Sequence, residues 1–98
     1  MEMRLRILKE EPKELTVEVE GEGHTFCNMV QEALLEEKSV EFGGYSLPHP
    51  LVSHPIIYVR TKGRTTAVRA VERALTNLER LIAEFKQELK QSWENSEQ

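Results

Sequence analysis

The sequence predicts an α+β fold, a two-layer ββαββα domain with a four-stranded antiparallel sheet, two helices on one face and a long C-terminal helix. Three observations lead there. Two period-two apolar segments open the chain, joined by a short polar turn, as in a hairpin. The order strand, strand, helix then repeats. The last third carries Val68, Val71, Leu75, Leu78, Ile82, Phe85 and Leu89 at spacings of 3, 4, 3, 4, 3 and 4, a heptad seam on a helix.

Met3, Leu5 and Ile7 alternate with Arg4 and Arg6, the pattern of a half-buried strand. Lys9 to Lys13 is a polar turn containing Pro12. Leu15, Val17 and Val19 alternate with Thr16, Glu18 and Glu20 in the second strand, which Gly21-Glu22-Gly23 ends. Thr25 is the expected N-cap of the first helix, with an incomplete capping box because Asn28 stands where Glu or Gln would. From Phe26, the residues Met29, Val30, Ala33 and Leu34 recur at helical spacing, and the helix is expected to end near Glu37. Val40, Phe42, Tyr45 and Leu47 form the third strand. A bulge is predicted at Gly43-Gly44, which would put Phe42 and Tyr45 on one face. The segment from Pro48 to Pro55 carries three prolines and reads as a rigid loop. Ile56 to Lys62 is the fourth strand, Gly63-Arg64 turns the chain, and Thr65 or Thr66 caps the long helix.

That helix is expected from Thr65 to Trp93, about 43 Å at about 1.5 Å per residue. Four strands side by side span only about 15–20 Å. The helix must overhang its own sheet. Val68 to Leu78 are expected to cover that sheet, while Ile82, Phe85, Leu89 and Trp93 need a surface from another chain. Burying each fully is worth about 1.5–3 kcal/mol, and soluble monomers rarely keep such a patch in water. Arg73, Glu79, Arg80, Glu84, Lys86, Glu88 and Lys90 make the opposite, solvated face.

Composition narrows the function classes. The 98 residues suffice for one domain, expected over residues 1–92 with a short polar tail at 93–98. The formal net charge of −4 argues against binding DNA or RNA independently. Arg4, Arg6, Arg60, Lys62 and Arg64 are the only candidates for a basic face. Cys27 is the sole cysteine, which excludes an internal disulfide and a multi-cysteine zinc site and fits a reducing, cytoplasmic compartment. The N-terminal segment lacks an apolar h-region, so no signal peptide is expected, and no run is long enough to cross a membrane.

His24, His49 and His54 are the only histidines, at spacings that match no standard zinc motif. They are read as capping and loop residues, and Cys27 as a small buried side chain. Gly21-x-Gly23 follows a hairpin strand without the Lys-Ser/Thr of a phosphate loop. We expect no catalytic residue, no cofactor, no metal and no small-molecule substrate. A competing enzyme reading is a small homodimer of the pterin carbinolamine dehydratase type using His24, His49 and His54. It rests on fold analogy alone and requires the three to converge on one pocket.

Gly21-Glu22-Gly23-His24-Thr25-Phe26-Cys27-Asn28, then Leu34-Leu35, Val40 to Tyr45, His49-Pro50-Leu51 and Ile56 to Gly63, resemble the subunit L family of archaeal DNA-directed RNA polymerases. That family is related to the dimerisation domain of the bacterial α subunit. The resemblance spans about Met1 to Lys90. It implies a single α-like dimerisation domain and a role without catalysis of its own, inside a nucleotidyltransferase complex. Members of the family pair with a larger α-like RNA polymerase partner, called D in archaea. The heterodimer is the platform for the large catalytic subunits, with no direct contact to nucleic acid and none to a membrane. The interface it implies joins Phe26, Met29, Val30 and Leu34 to Leu78, Leu81, Ile82, Phe85, Leu89 and Trp93. His24, Thr25, Asn28, Phe42, Gly44, Tyr45, His49 and Pro50 match the family motif. The chain departs from the family at Cys27, often glycine, at Phe26, commonly leucine, and at Gln31, near which an arginine is frequent.

Overall fold

The computed structural model describes residues 3–47 and 54–96. Its elements run β1 (Arg4–Glu11), β2 (Glu14–Glu20), α1 (His24–Leu35), β3 (Val40–Ser46), β4 (Ile56–Thr61) and α2 (Ala67–Ser96). The four strands form one antiparallel sheet in the order β1-β2-β4-β3, and both helices lie on one face. The predicted α+β class and element order are therefore present. His49, Pro50 and most of the proline loop lie outside the described residues, as do residues 1, 2, 97 and 98.

Leu15, Val17 and Val19 put every second side chain of β2 under the helices, with Leu15 and Val19 buried. Val59 of β4 is likewise buried and pairs with Leu15 on one side and Gly43 on the other. Above them, α1 supplies Cys27, Val30 and Leu34, an i, i+3, i+7 stripe. Gly43 makes that packing possible. A Cβ there would stand 3.2 Å from the Cβ of Leu34, so its absence lets α1 settle close on β3.

Four sequence expectations are corrected. The apolar residues of β1 are not half-buried, because α1 lies chiefly over β3 and α2 over β4 and β2, leaving no helix above β1. The N-cap of α1 is Gly23, and Thr25 lies within the first turn. The ladder of β3 slips between Val40 and Phe42, not at the glycine pair. Phe42 therefore faces away from the helices beside Arg60 and Tyr58, and Tyr45 faces toward them. Val68 is exposed, and the side chains of α2 that meet the sheet are Ala67, Ala70 and Ala74, with Val71 and Leu75 partly buried beside them. Alanine permits the close helix–sheet contact that a valine or leucine at those positions would prevent.

The start of α2 is well tied. Thr66 Oγ1 accepts the Arg69 amide at 3.2 Å, the predicted threonine cap. The Ala67 amide donates to Pro12 O at 2.8 Å, and Thr61 Oγ1 donates to Thr65 O at 2.7 Å. The helix therefore leaves the β1–β2 turn in a fixed direction. It passes the end of α1, where Asn77 Nδ2 reaches Glu37 Oε1 at 3.4 Å. It continues as helix through Ser96, three residues beyond the expected end.

Candidate partner interface

Along α2, every described residue from Glu79 onward is exposed. The seam predicted from spacing continues into that region. Leu81 and Ile82 are more than half exposed, Phe85 is 70% exposed and Trp93 63%. Between this overhang and the outer side of α1 runs an apolar groove lined by Met29, Ala33, Leu78, Leu81, Ile82 and Phe85. Asn28, Glu32, Glu36, Arg80 and Glu84 border it with polar groups of both signs. An apolar floor inside a polar rim is the anatomy of a protein–protein contact.

The residues expected at the interface divide on this geometry. Met29, Leu78, Leu81, Ile82 and Phe85 line the groove, and Leu89 and Trp93 extend the exposed stripe along the helix. Phe26 is partly buried against the domain's own core. Val30 and Leu34 are a correction. They are 3% and 0% exposed, pointing into the sheet, and offer a partner no surface. The outward face of α1 is turned about 100° from theirs, one residue of helix rotation, and belongs to Met29 and Ala33. Ala33 was missed as part of the groove because its small side chain adds little to an apolar pattern.

Several of the motif residues tie elements together within the domain. His24 Nδ1 and the Tyr45 hydroxyl are 3.1 Å apart, joining the start of α1 to β3. Gln31 Oε1 accepts the Tyr45 amide at 3.2 Å, satisfying a backbone donor on edge strand β3. The glutamine that departs from the family pattern thus has a role within the domain, one that sequence spacing did not reveal. Phe42 packs edge-on against Tyr58 with ring centroids 5.4 Å apart. Thr25 and Asn28 are exposed, and Gly44 pairs with Tyr58 in the ladder.

The remaining candidates have separate places in the fold. His54 sits 3.2 Å from Glu20, and His24 bonds Tyr45, so the two described histidines have different partners. Among the described residues no group of three or more His, Cys, Asp or Glu is gathered to hold a metal ion. Burial pushes the Cys27 thiol pKa up, the reverse of what a reactive thiolate needs. On the outer face of the sheet, Glu14 accepts Lys9 at 2.7 Å and Arg60 at 3.2 Å, and Arg60 also approaches Glu41 at 3.7 Å. Hydrogen bonding to the Lys9 ammonium, together with the Arg60 charge, holds the Glu14 carboxyl below its ordinary range, although partial desolvation opposes the shift. The outer face is an alternating ionic surface, not the basic one a nucleic-acid module requires. No helix among the described residues is long and apolar enough to cross a membrane.

Residues 14–88 match the family described as the RNA polymerase Rpb3/Rpb11 dimerisation domain. The DNA-directed RNA polymerase subunit Rpo11 of Sulfolobus acidocaldarius is 35% identical over 88 residues, covering 90% of this chain and 98% of that one. Rpo11 of Thermococcus kodakarensis is 38% identical over 74 residues, covering 74% and 79%. The crystal structure of DNA-directed RNA polymerase subunit L from Thermoplasma acidophilum superimposes with a TM-score of 0.87 at 27% identity, covering 99% of this chain and 95% of that one. These relatives give the dehydratase-like reading no support. A domain whose long helix outruns its own sheet, and whose sequence matches over most of its length, belongs to the Rpb3/Rpb11 dimerisation-domain family of DNA-directed RNA polymerases.

Proposed function

We propose that this chain is the small α-like subunit of an archaeal-type RNA polymerase and pairs with the larger α-like polypeptide, D. The pair is the platform on which the large catalytic subunits assemble in the cytoplasm. The observation that carries this reading is the apolar groove between α1 and the overhang of α2, left open in a dimerisation-domain fold. Met29, Leu78, Leu81, Ile82, Phe85, Leu89 and Trp93 form the contact. Phe26 lends it a partly buried edge. His24, Gln31 and Tyr45 hold α1 against β3, so that the groove keeps its shape. The chain performs no chemistry of its own.

Light scattering tests the proposal. The purified chain is measured alone and after mixing with an archaeal α-like protein of the D type. A clean 1:1 complex, from a chain that self-associates when alone, is the expected result. A well-behaved homodimer that ignores the added protein overturns the reading.

A further inference from the structure

The apolar floor of the groove gives any partner something to bury, and the charges around it distinguish one partner from another. Glu32 and Glu36 stand one turn apart on α1, and Glu84 stands on the overhang of α2. All three border the groove and all three are exposed. Among the described residues, Arg80 is the only base that lines it. The rim therefore holds more negative charge than positive.

These charges are uncommitted within the domain. On the outer face of the sheet, the carboxylates of Glu14, Glu18 and Glu41 each reach a lysine or arginine at 4.0 Å or less. Among the described residues, no ion pair engages Glu32, Glu36, Glu84 or Arg80. A surface entering the groove comes within about one Debye length of the rim, about 8 Å at physiological salt. The rim charges thus act on what approaches, and hold nothing together in the free chain.

Two occupants compete on these terms. A second copy of this chain would use an isologous contact, the same patch on both sides. That arrangement sets one acidic rim against another. The overhang such a copy brings gives no relief, because from Glu79 to Glu94 four glutamates outnumber Arg80, Lys86 and Lys90. The whole chain carries a formal net charge of −4. A chain with lysine and arginine beside the apolar stripe of its helices meets the same rim with attraction.

Resting on the pairing proposed above, we infer that the acidic rim selects the occupant of the groove. It takes an α-like chain whose apolar helix face is bordered by lysine and arginine, and it disfavours a second copy of this chain. The apolar floor gives affinity to either one, and Glu32, Glu36 and Glu84 set the difference between them. Self-association of the free chain is then weak at low ionic strength and tightens as salt screens the rim. Association with the basic partner slows under the same change.

The test reads both associations with one set of variants. Sedimentation equilibrium measures self-association, and stopped-flow mixing measures the rate of binding to an archaeal D-type protein. Glu32→Gln, Glu36→Gln and Glu84→Gln combined are expected to tighten self-association about tenfold in about 50 mM salt and to slow binding to the D-type protein about tenfold. The dependence of that rate on salt between about 50 and 500 mM is expected to shrink with them. Arg80→Gln is expected to shift both measurements the other way, a reversal that damage to the fold would not produce. A 1:1 complex whose association rate ignores salt and the combined substitution overturns the rim assignment and leaves the pairing intact. Self-association that the combined substitution leaves unchanged overturns it as well. Failure of the unsubstituted chains to form any 1:1 complex overturns the pairing and this inference together.

Discussion

The two halves of α2 obey different rules. From Ala67 to Ala74 the sheet-facing side chains are alanines, all buried, and the helix lies close on β2 and β4. From Leu81 to Trp93 the same helix carries leucine, isoleucine, phenylalanine and tryptophan, all more than half exposed. The larger apolar side chains thus stand where the domain has nothing to bury them. Within the domain, closeness sets residue size at Ala67, Ala70 and Ala74, where a larger side chain would push the helix away from the sheet, while Val71 and Leu75 pack at the margin of the contact. Beyond the domain, transfer free energy favours the larger side chains, and the gain comes only with a second surface. The stripe is continuous in sequence while its purpose changes midway.

That division can be broken at either end. The largest effect is expected in the overhang: Phe85→Asp raises the Kd for a D-type partner at least a hundredfold, about 2.7 kcal/mol. The same change leaves the chain's own urea stability within about 0.5 kcal/mol, because Phe85 touches solvent in the free domain. Isothermal titration and a urea melt read the two halves of that statement. Next comes the core: Leu34→Ala, fully buried, is expected to cost about 2–5 kcal/mol of stability in a urea titration. If Leu34→Ala impaired partner binding without loss of stability, α1 would be rotated on the sheet, with Leu34 in the groove.

Two smaller effects sharpen the comparison. Ala74→Leu places a large side chain where α2 meets the sheet and is expected to cost about 1–3 kcal/mol by overpacking, although it makes the seam more apolar. A stabilising result would mean that α2 stands farther from the sheet. The smallest effect is at the surface. The Glu14 carboxyl is held below its ordinary range, first by its hydrogen bond to Lys9. A depressed folded pKa gives stability that is present above the unfolded carboxylate value and lost as pH falls through the folded one. Glu14→Gln is therefore expected to reduce stability slightly at neutral pH and to flatten the acid limb of a stability–pH profile. An unchanged acid limb would remove Glu14 from the ionic network.

The resemblance at Gly21 to Asn28 and Val40 to Tyr45 led to the right family, and the heptad spacing led to the right overhang, by independent routes. Period-two and period-3.6 patterns survive any tertiary arrangement, so all six elements were legible. Faces were harder to read. Val30 and Leu34 share the apolar character of Met29, and only the rotation of α1 on the sheet separates core from groove. The glycine pair in β3 signalled an irregularity. The ladder slips beside it instead, and Gly43 serves the close approach of Leu34.

Local pattern alone set the order of elements, the length of α2 and the excess of apolar side chains beyond Asn77, because each follows from periodicity and from the rise per residue. Packing settled the rest: which strand is left uncovered, which turn of α1 faces outward, that alanines and not Val68 meet the sheet, and that Gln31 closes the edge of β3. Those depend on where one layer sits over another. Layer placement is set by close packing and backbone hydrogen bonding among residues far apart in the chain, which no local pattern records.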